Sequence, residues 1–140
     1  MKLWVSILSL VFCTTLLFAS VTRVELSAEN QVNSPIDYKV KVLTDHPQKG
    51  RVDIRITLAA DQDELAELWK VYLWVSDEKK IVLSVPLDMK RSKDGAIEIH
   101  FNGSVEMVNN SVIAVRCGKH APLAEKIYQI NVGSYLKASE

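Results

Sequence analysis

The stretch VIAVRCGKHAPL, residues 112–123, places a thiol and an imidazole three positions apart, at Cys117 and His120. Such a pair serves either as nucleophile and base or as two ligands of a transition metal. A different chemistry is offered by LWKVYLWV, residues 68–75, which carries Lys70, Tyr72 and Trp74 at alternate positions. Residues two apart on a strand share a face. If Trp69, Val71, Leu73 and Val75 fill a core, the two rings and the Lys70 ammonium emerge together on the other side. A flat stripe of that kind stacks on sugar rings or anchors a partner protein, because aromatic rings give large contact area at little rotamer cost. The competing reading is that a neighbouring segment covers the rings, or that a bulge flips the phase, since soluble monomers seldom leave large apolar patches bare.

For Cys117 the phase of its own segment is informative. Arg116 is a poor occupant of a dry core, so Val112, Ala114 and Arg116 are expected to point outward and Ile113, Val115 and Cys117 inward, where a cysteine behaves as a small hydrophobe. A reactive or dimer-forming thiol is the second reading. The third is a metal: Cys-x-x-His at the end of a late strand resembles the copper loop of the cupredoxins. That resemblance implies Cys117 and His120 as two ligands of a small exported copper-type carrier, with His46 or His100 as a third. It covers four residues and departs from the pattern downstream, where Leu123, Ala124 and Glu125 stand in the region of the expected methionine. His100 also shares a strand face with Glu98, away from an inward Cys117, and His46 precedes Pro47 as a turn residue.

Other constellations are weaker. Asp61 stands three residues ahead of Glu64, the spacing of a capping box, and with Asp63 these carboxylates mark a short helical turn near 61–67 rather than an acid–base pair. DMKRSKDG, residues 88–95, lacks the acidic spacing of a calcium loop and reads as a solvated turn. Lys39, Lys41 and Arg55 are cations of the first hairpin, interrupted by Asp53. Asn102-Gly-Ser104 and Asn109-Asn-Ser111 fit the glycosylation sequon, which applies in a eukaryotic source. There is no Gly-x-Ser-x-Gly elbow, no His-Glu-x-x-His and no phosphate-cradling glycine loop, so no catalytic residue, enzyme activity or cofactor is assigned.

The elements that must hold these residues follow from patterning. The chain opens MKLWVSILSLVFCTTLLFAS: Lys2, an apolar run from Leu3 to Phe18, then Ala19 and Ser20. This is the order of a secretory signal peptide over residues 1–20, cleaved after Ala19 or Ser20, or of an uncleaved signal anchor, because Leu17 is larger than a peptidase favours. Phe12 before Cys13 speaks against a lipoprotein. Lys2 stays cytoplasmic in either case, so residues 21–140 are expected to be secreted or periplasmic.

About 120 residues then form a single domain with one core. Its one cysteine, Cys117, excludes an internal disulfide. The 17 acidic and 17 basic residues of the whole chain balance, which gives no field for nucleic acid. Membrane insertion is not expected unless the signal is retained.

Alternation is the main structural signal. Tyr38, Val40 and Val42 interleave with lysines; Val52, Ile54, Ile56 and Leu58 interleave with polar residues across a turn at DHPQKG. Further sets are Ile81, Leu83, Val85 and Leu87; Ile97, Ile99 and Phe101; and Tyr128, Ile130 and Val132. A weaker first strand lies at TRVELS, residues 22–27. Asn102-Gly103 is a strong hairpin dipeptide, yet VEMVNNS after it alternates poorly, which favours a crossing to a second sheet between Phe101 and Ser111. Together these predict an all-β, two-sheet sandwich, with an immunoglobulin-like Greek key as the commonest form and at most one short helical turn near 61–67. The functional expectation is an exported, non-catalytic binding or structural module that meets an envelope or extracellular protein or glycan through Tyr72, Trp74 and Lys70.

Overall fold

The computed structural model describes residues 20–43, 48–120 and 124–138, with His120 described through its backbone. The expected signal segment lies outside the described residues apart from Ser20, and so does His46.

Among the described residues, nine strands form two sheets packed face to face. β1 (Ser20–Leu26), β4 (Leu68–Asp77), β5 (Lys80–Pro86), β8 (Ser111–His120) and β9 (Ala124–Asn131) make a five-stranded sheet in the order β1-β9-β8-β4-β5. β2 (Tyr38–Leu43), β3 (Arg51–Leu58), β6 (Lys90–Arg91) and β7 (Ile97–Ser104) make a four-stranded sheet in the order β2-β3-β7-β6. The chain passes from one sheet to the other after β1, β3, β5 and β7. Every pairing is antiparallel except that of β1, which runs parallel to β9 with Ser20 opposite Ala124 and Leu26 opposite Ile130.

Alternation places the core. Ile54, Ile56 and Leu58 of β3, Ile99 and Phe101 of β7, Val71 and Leu73 of β4, Ile113 and Val115 of β8, and Tyr128 and Ile130 of β9 pack between the sheets. Each such aliphatic side chain stabilises the fold by about 1.5–3 kcal/mol relative to exposure. β5 departs from the expected pattern. It is an edge strand on which Ile81, Val82 and Leu83 are all exposed. A register shift at Val75 and Ser76 leaves Val82 without a partner on β4 and moves Ile81 opposite Ser76, out of phase with Leu83. A bulge and a terminal Pro86 are both devices that discourage further strand addition at an edge.

The crossing after Phe101 occurs, and Asn102-Gly103 is no turn: both residues remain in β7, opposite Asp53 and Val52. Gly103 leaves the space that the end of the Met107 side chain fills, since a Cβ there would stand 2.0 Å from Met107 Cε and the methionine would have to swing aside. That methionine belongs to α1 (Val105–Asn109), which carries the chain between the sheets and starts on a Ser104 cap whose Oγ accepts from Met107 N at 3.1 Å.

A second short helix, α2 (Val132–Ala138), closes the same end. Alternation predicts that Val132 continues a strand; it instead begins this helix. Gly133 lets its first turn meet the backbone of α1, since a Cβ would lie 2.6 Å from the Asn109 carbonyl oxygen. From α2 the Tyr135 hydroxyl donates to Gln31 Oε1 at 2.8 Å and lies 2.6 Å from the Tyr38 hydroxyl, the two rings meeting edge to face. Both helices are additional to the single turn that patterning announced.

That turn is present as a 3-10 helix over Asp63–Leu65, but the capping box is not. Asp61 takes a left-handed backbone, φ 56°, and no side chain caps the turn. Glu64 reaches across to accept from the Tyr128 hydroxyl at 2.8 Å, with Lys126 Nζ 3.7 Å from the same carboxylate. Gln62 fastens the preceding loop by donating to the carbonyls of Asp37 and Ala59, both at 2.8 Å.

Candidate functional site

The outer face of the five-stranded sheet is built from alternate residues of its strands. The register sets Trp74 beside Val112, Tyr72 beside Ala114, Lys70 beside Arg116, and Arg116 in turn beside Ile127. Lys70 and Tyr72 are half-buried on this face. Trp74, however, is 9% exposed and sits in a small apolar cluster with Ala114 and Ile127. Arg23 of β1 lies over its ring at 6.0 Å, and its Nε1 donates to Ser84 Oγ of β5 at 3.0 Å. The cover comes from the side chains of flanking strands, not from a loop.

Trp69 corrects the sequence reading. The outward stripe presumes Trp69 in the core, yet a register shift between Leu68 and Lys70 turns it outward, and Leu68 packs against the core in its place. A bulge of this kind re-aims one side chain without disturbing those beyond it. Val71 and Leu73 accordingly keep their inward phase. The Trp69 ring is 40% exposed.

Between Trp69 and Tyr72 lies the Arg116 guanidinium, 4.6 Å from the first ring centroid and 5.5 Å from the second. Glu125 on β9 holds it from the side with two hydrogen bonds: Arg116 Nε donates to Oε2 at 3.0 Å and Nη2 to Oε1 at 2.5 Å. This carboxylate, and Tyr72 to a smaller extent, push the Arg116 pKa above its ordinary value. A bidentate pair fixes the plane of the guanidinium, and a planar cation over a ring fixes the ring. The outcome is an exposed indole held flat on a rigid support.

Sequence alone missed Trp69, Glu125 and Arg23. The pairing of Arg116 with Glu125 could have been sought by folding residues 111–131 as a hairpin, but nothing in the local sequence marks the bulge.

Cys117 points inward as expected and is 5% exposed, part of the main core. Burial, with a smaller contribution from Glu64, raises its thiol pKa to about 11. His120 ends β8, and its side chain lies outside the described residues. His100 is exposed on the outer face of the other sheet, opposite Arg55, so it is not brought to Cys117. Among the described residues no group of three or more His, Cys, Asp or Glu side chains is placed to hold a metal ion. No described helix is long and apolar enough to cross a membrane.

No family model matches the chain, and neither any curated protein nor any solved structure matches it.

Proposed function

We propose that the protein is an exported, non-catalytic β-sandwich module that contacts an envelope or extracellular protein or glycan through the outer face of its five-stranded sheet. Trp69, Lys70 and Tyr72 make the contact; Trp74 supports them from within the sheet, with Arg116 and Glu125 as the brace. The observation that carries this reading is the exposed Trp69 ring lying on a guanidinium that a carboxylate clamps from the side. Preorganised aromatic anchors of this type dominate the energetics of recognition surfaces, because little motion is lost on binding.

As to fold, we read the connectivity as a variant of the immunoglobulin-like Greek key. The crossings after β3, β5 and β7, each separated by a hairpin, support that reading.

The test is retention on the cell-envelope fraction of the protein's own source. A variant with Trp69→Ala and Tyr72→Ala should lose at least about tenfold in binding, while a surface control such as Lys79→Ala binds like the unaltered protein. Equal retention of both variants would remove this face from consideration.

A further inference from the structure

The outer face of the four-stranded sheet holds a row of basic side chains, two of them opposed cations that folding alone disfavours. Lys41 on β2 lies directly opposite Arg55 on β3, and Arg55 directly opposite His100 on β7. All three are exposed. Directly opposed side chains on neighbouring strands stand about 5 Å apart at Cβ, where like charges repel. Among the described residues, no ion pair or side-chain hydrogen bond engages Lys41 or Arg55. Lys39 adds a further cation one row along β2, opposite Thr57.

The carboxylates of this face bracket the row instead of neutralising it. Asp53 precedes Arg55 by two residues on β3, Glu98 precedes His100 by two on β7, and Lys90 of β6 lies opposite Glu98. The opposed pair Lys41 and Arg55, with Lys39 one row away, is therefore where positive charge gathers on this face. At its β7 end the row opens into a groove of about 430 Å³ lined by Arg55, Asp88, Lys90, Glu98 and His100.

We infer that this row binds an anionic polysaccharide, a linear chain bearing carboxylate or sulfate groups that lies across β2, β3 and β7. A linear polyanion matches a row of basic side chains spaced at the interstrand distance, about 4.8 Å. A bilayer is disfavoured because none of the exposed large hydrophobic residues stands on these three strands. Nucleic acid is disfavoured because Tyr38 and Phe101, the aromatic residues of these strands, are buried and leave no ring for a base to stack on. This surface is separate from the Trp69 face, so either can fail alone.

The test uses dextran sulfate as probe, with neutral dextran and anionic phospholipid vesicles as the comparison arms, at about 50 and about 200 mM salt. Dextran sulfate should bind, neutral dextran should not, and affinity should fall at the higher salt, as it does for contacts between exposed charges. A variant with Lys41→Thr and Arg55→Thr should lose about fivefold or more in affinity while its thermal midpoint stays level or rises, because a repulsive pair has been removed. Lys41→Gln alone should lose part of the affinity in the same direction. Three results would each overturn the inference: no binding of dextran sulfate at low salt, undiminished binding by the double variant, or a lowered midpoint in both variants. Vesicle binding as tight as that of dextran sulfate, and lost in the same variants, would assign the row to lipid headgroups instead.

Discussion

The Trp69 ring lies 4.6 Å from the Arg116 guanidinium, although strict strand alternation puts these two residues on opposite faces of the sheet. One residue of bulge in β4 resolves the conflict, and it separates the tryptophans of this strand by role. Trp69 stands in solvent on a charged support, whereas Trp74 is enclosed between Arg23 and Ser84.

Stability should follow that division. Trp69→Ala removes a half-exposed ring and one cation–π contact, a loss of about 1 kcal/mol or less. Trp74→Ala empties a buried site and should cost about 3–5 kcal/mol. Urea denaturation of the two variants, monitored by circular dichroism, measures the difference; equal losses would mean that the bulge does not expose Trp69.

The β4–β5 hairpin turns on Glu78 and Lys79, whose φ angles are 46° and 68°. Two successive left-handed residues are the hallmark of a type I′ turn, which asparagine and glycine adopt most readily. Glu78→Asn combined with Lys79→Gly should therefore raise stability by about 1–2 kcal/mol, since the left-handed backbone costs that order for an ordinary side chain. Chemical denaturation of the paired variant checks this, and a loss of stability would show that Glu78 or Lys79 makes a contact worth more than the strain.

Cys117 should be inert at neutral pH and should make the fold alkali-sensitive. With its folded pKa raised from 9.0 to about 11, the native state keeps a proton that the unfolded chain releases. Its contribution is thus complete below pH 9 and is lost as pH rises through 11. The tyrosines at 38, 128 and 135 are shifted the same way and add to the decline above pH 10. Cys117→Val should make the stability curve less steep between pH 9 and 10, where the thiol of the unfolded chain ionises ahead of its tyrosines. Native protein at pH 8 should react with iodoacetamide far more slowly than protein in denaturant; equal rates would place the thiol at the surface.

What the sequence reveals, and what it hides, divides along a physical line. Arg51 to Leu58 reads correctly because period two over eight residues has one solution, with one face buried. Arg116 sets the phase of β8 because a guanidinium cannot enter the core, and that phase gives the buried Cys117. The bulge at Trp69 left no trace, since LWKVYLWV is apolar on both faces and fits either phase. α1 and α2 span five and seven residues, too short for a helical period to show. Asn102-Gly103 carries strong turn chemistry yet serves close packing under Met107, while Glu78-Lys79 carries almost none and makes the turn. In both cases tertiary contact overrode local preference.

The parallel seam between β1 and β9 imposes an order of events on biogenesis. Ser20 and Ala124 meet across about a hundred intervening residues, and a chain synthesised amino end first delivers the leading strand long before its mate. Until that mate arrives, the leading strand has no ladder to join and the sheet stays one member short. Completion of this half of the sandwich therefore waits for the last strand to be made, whatever order the rest of the sheet assembles in.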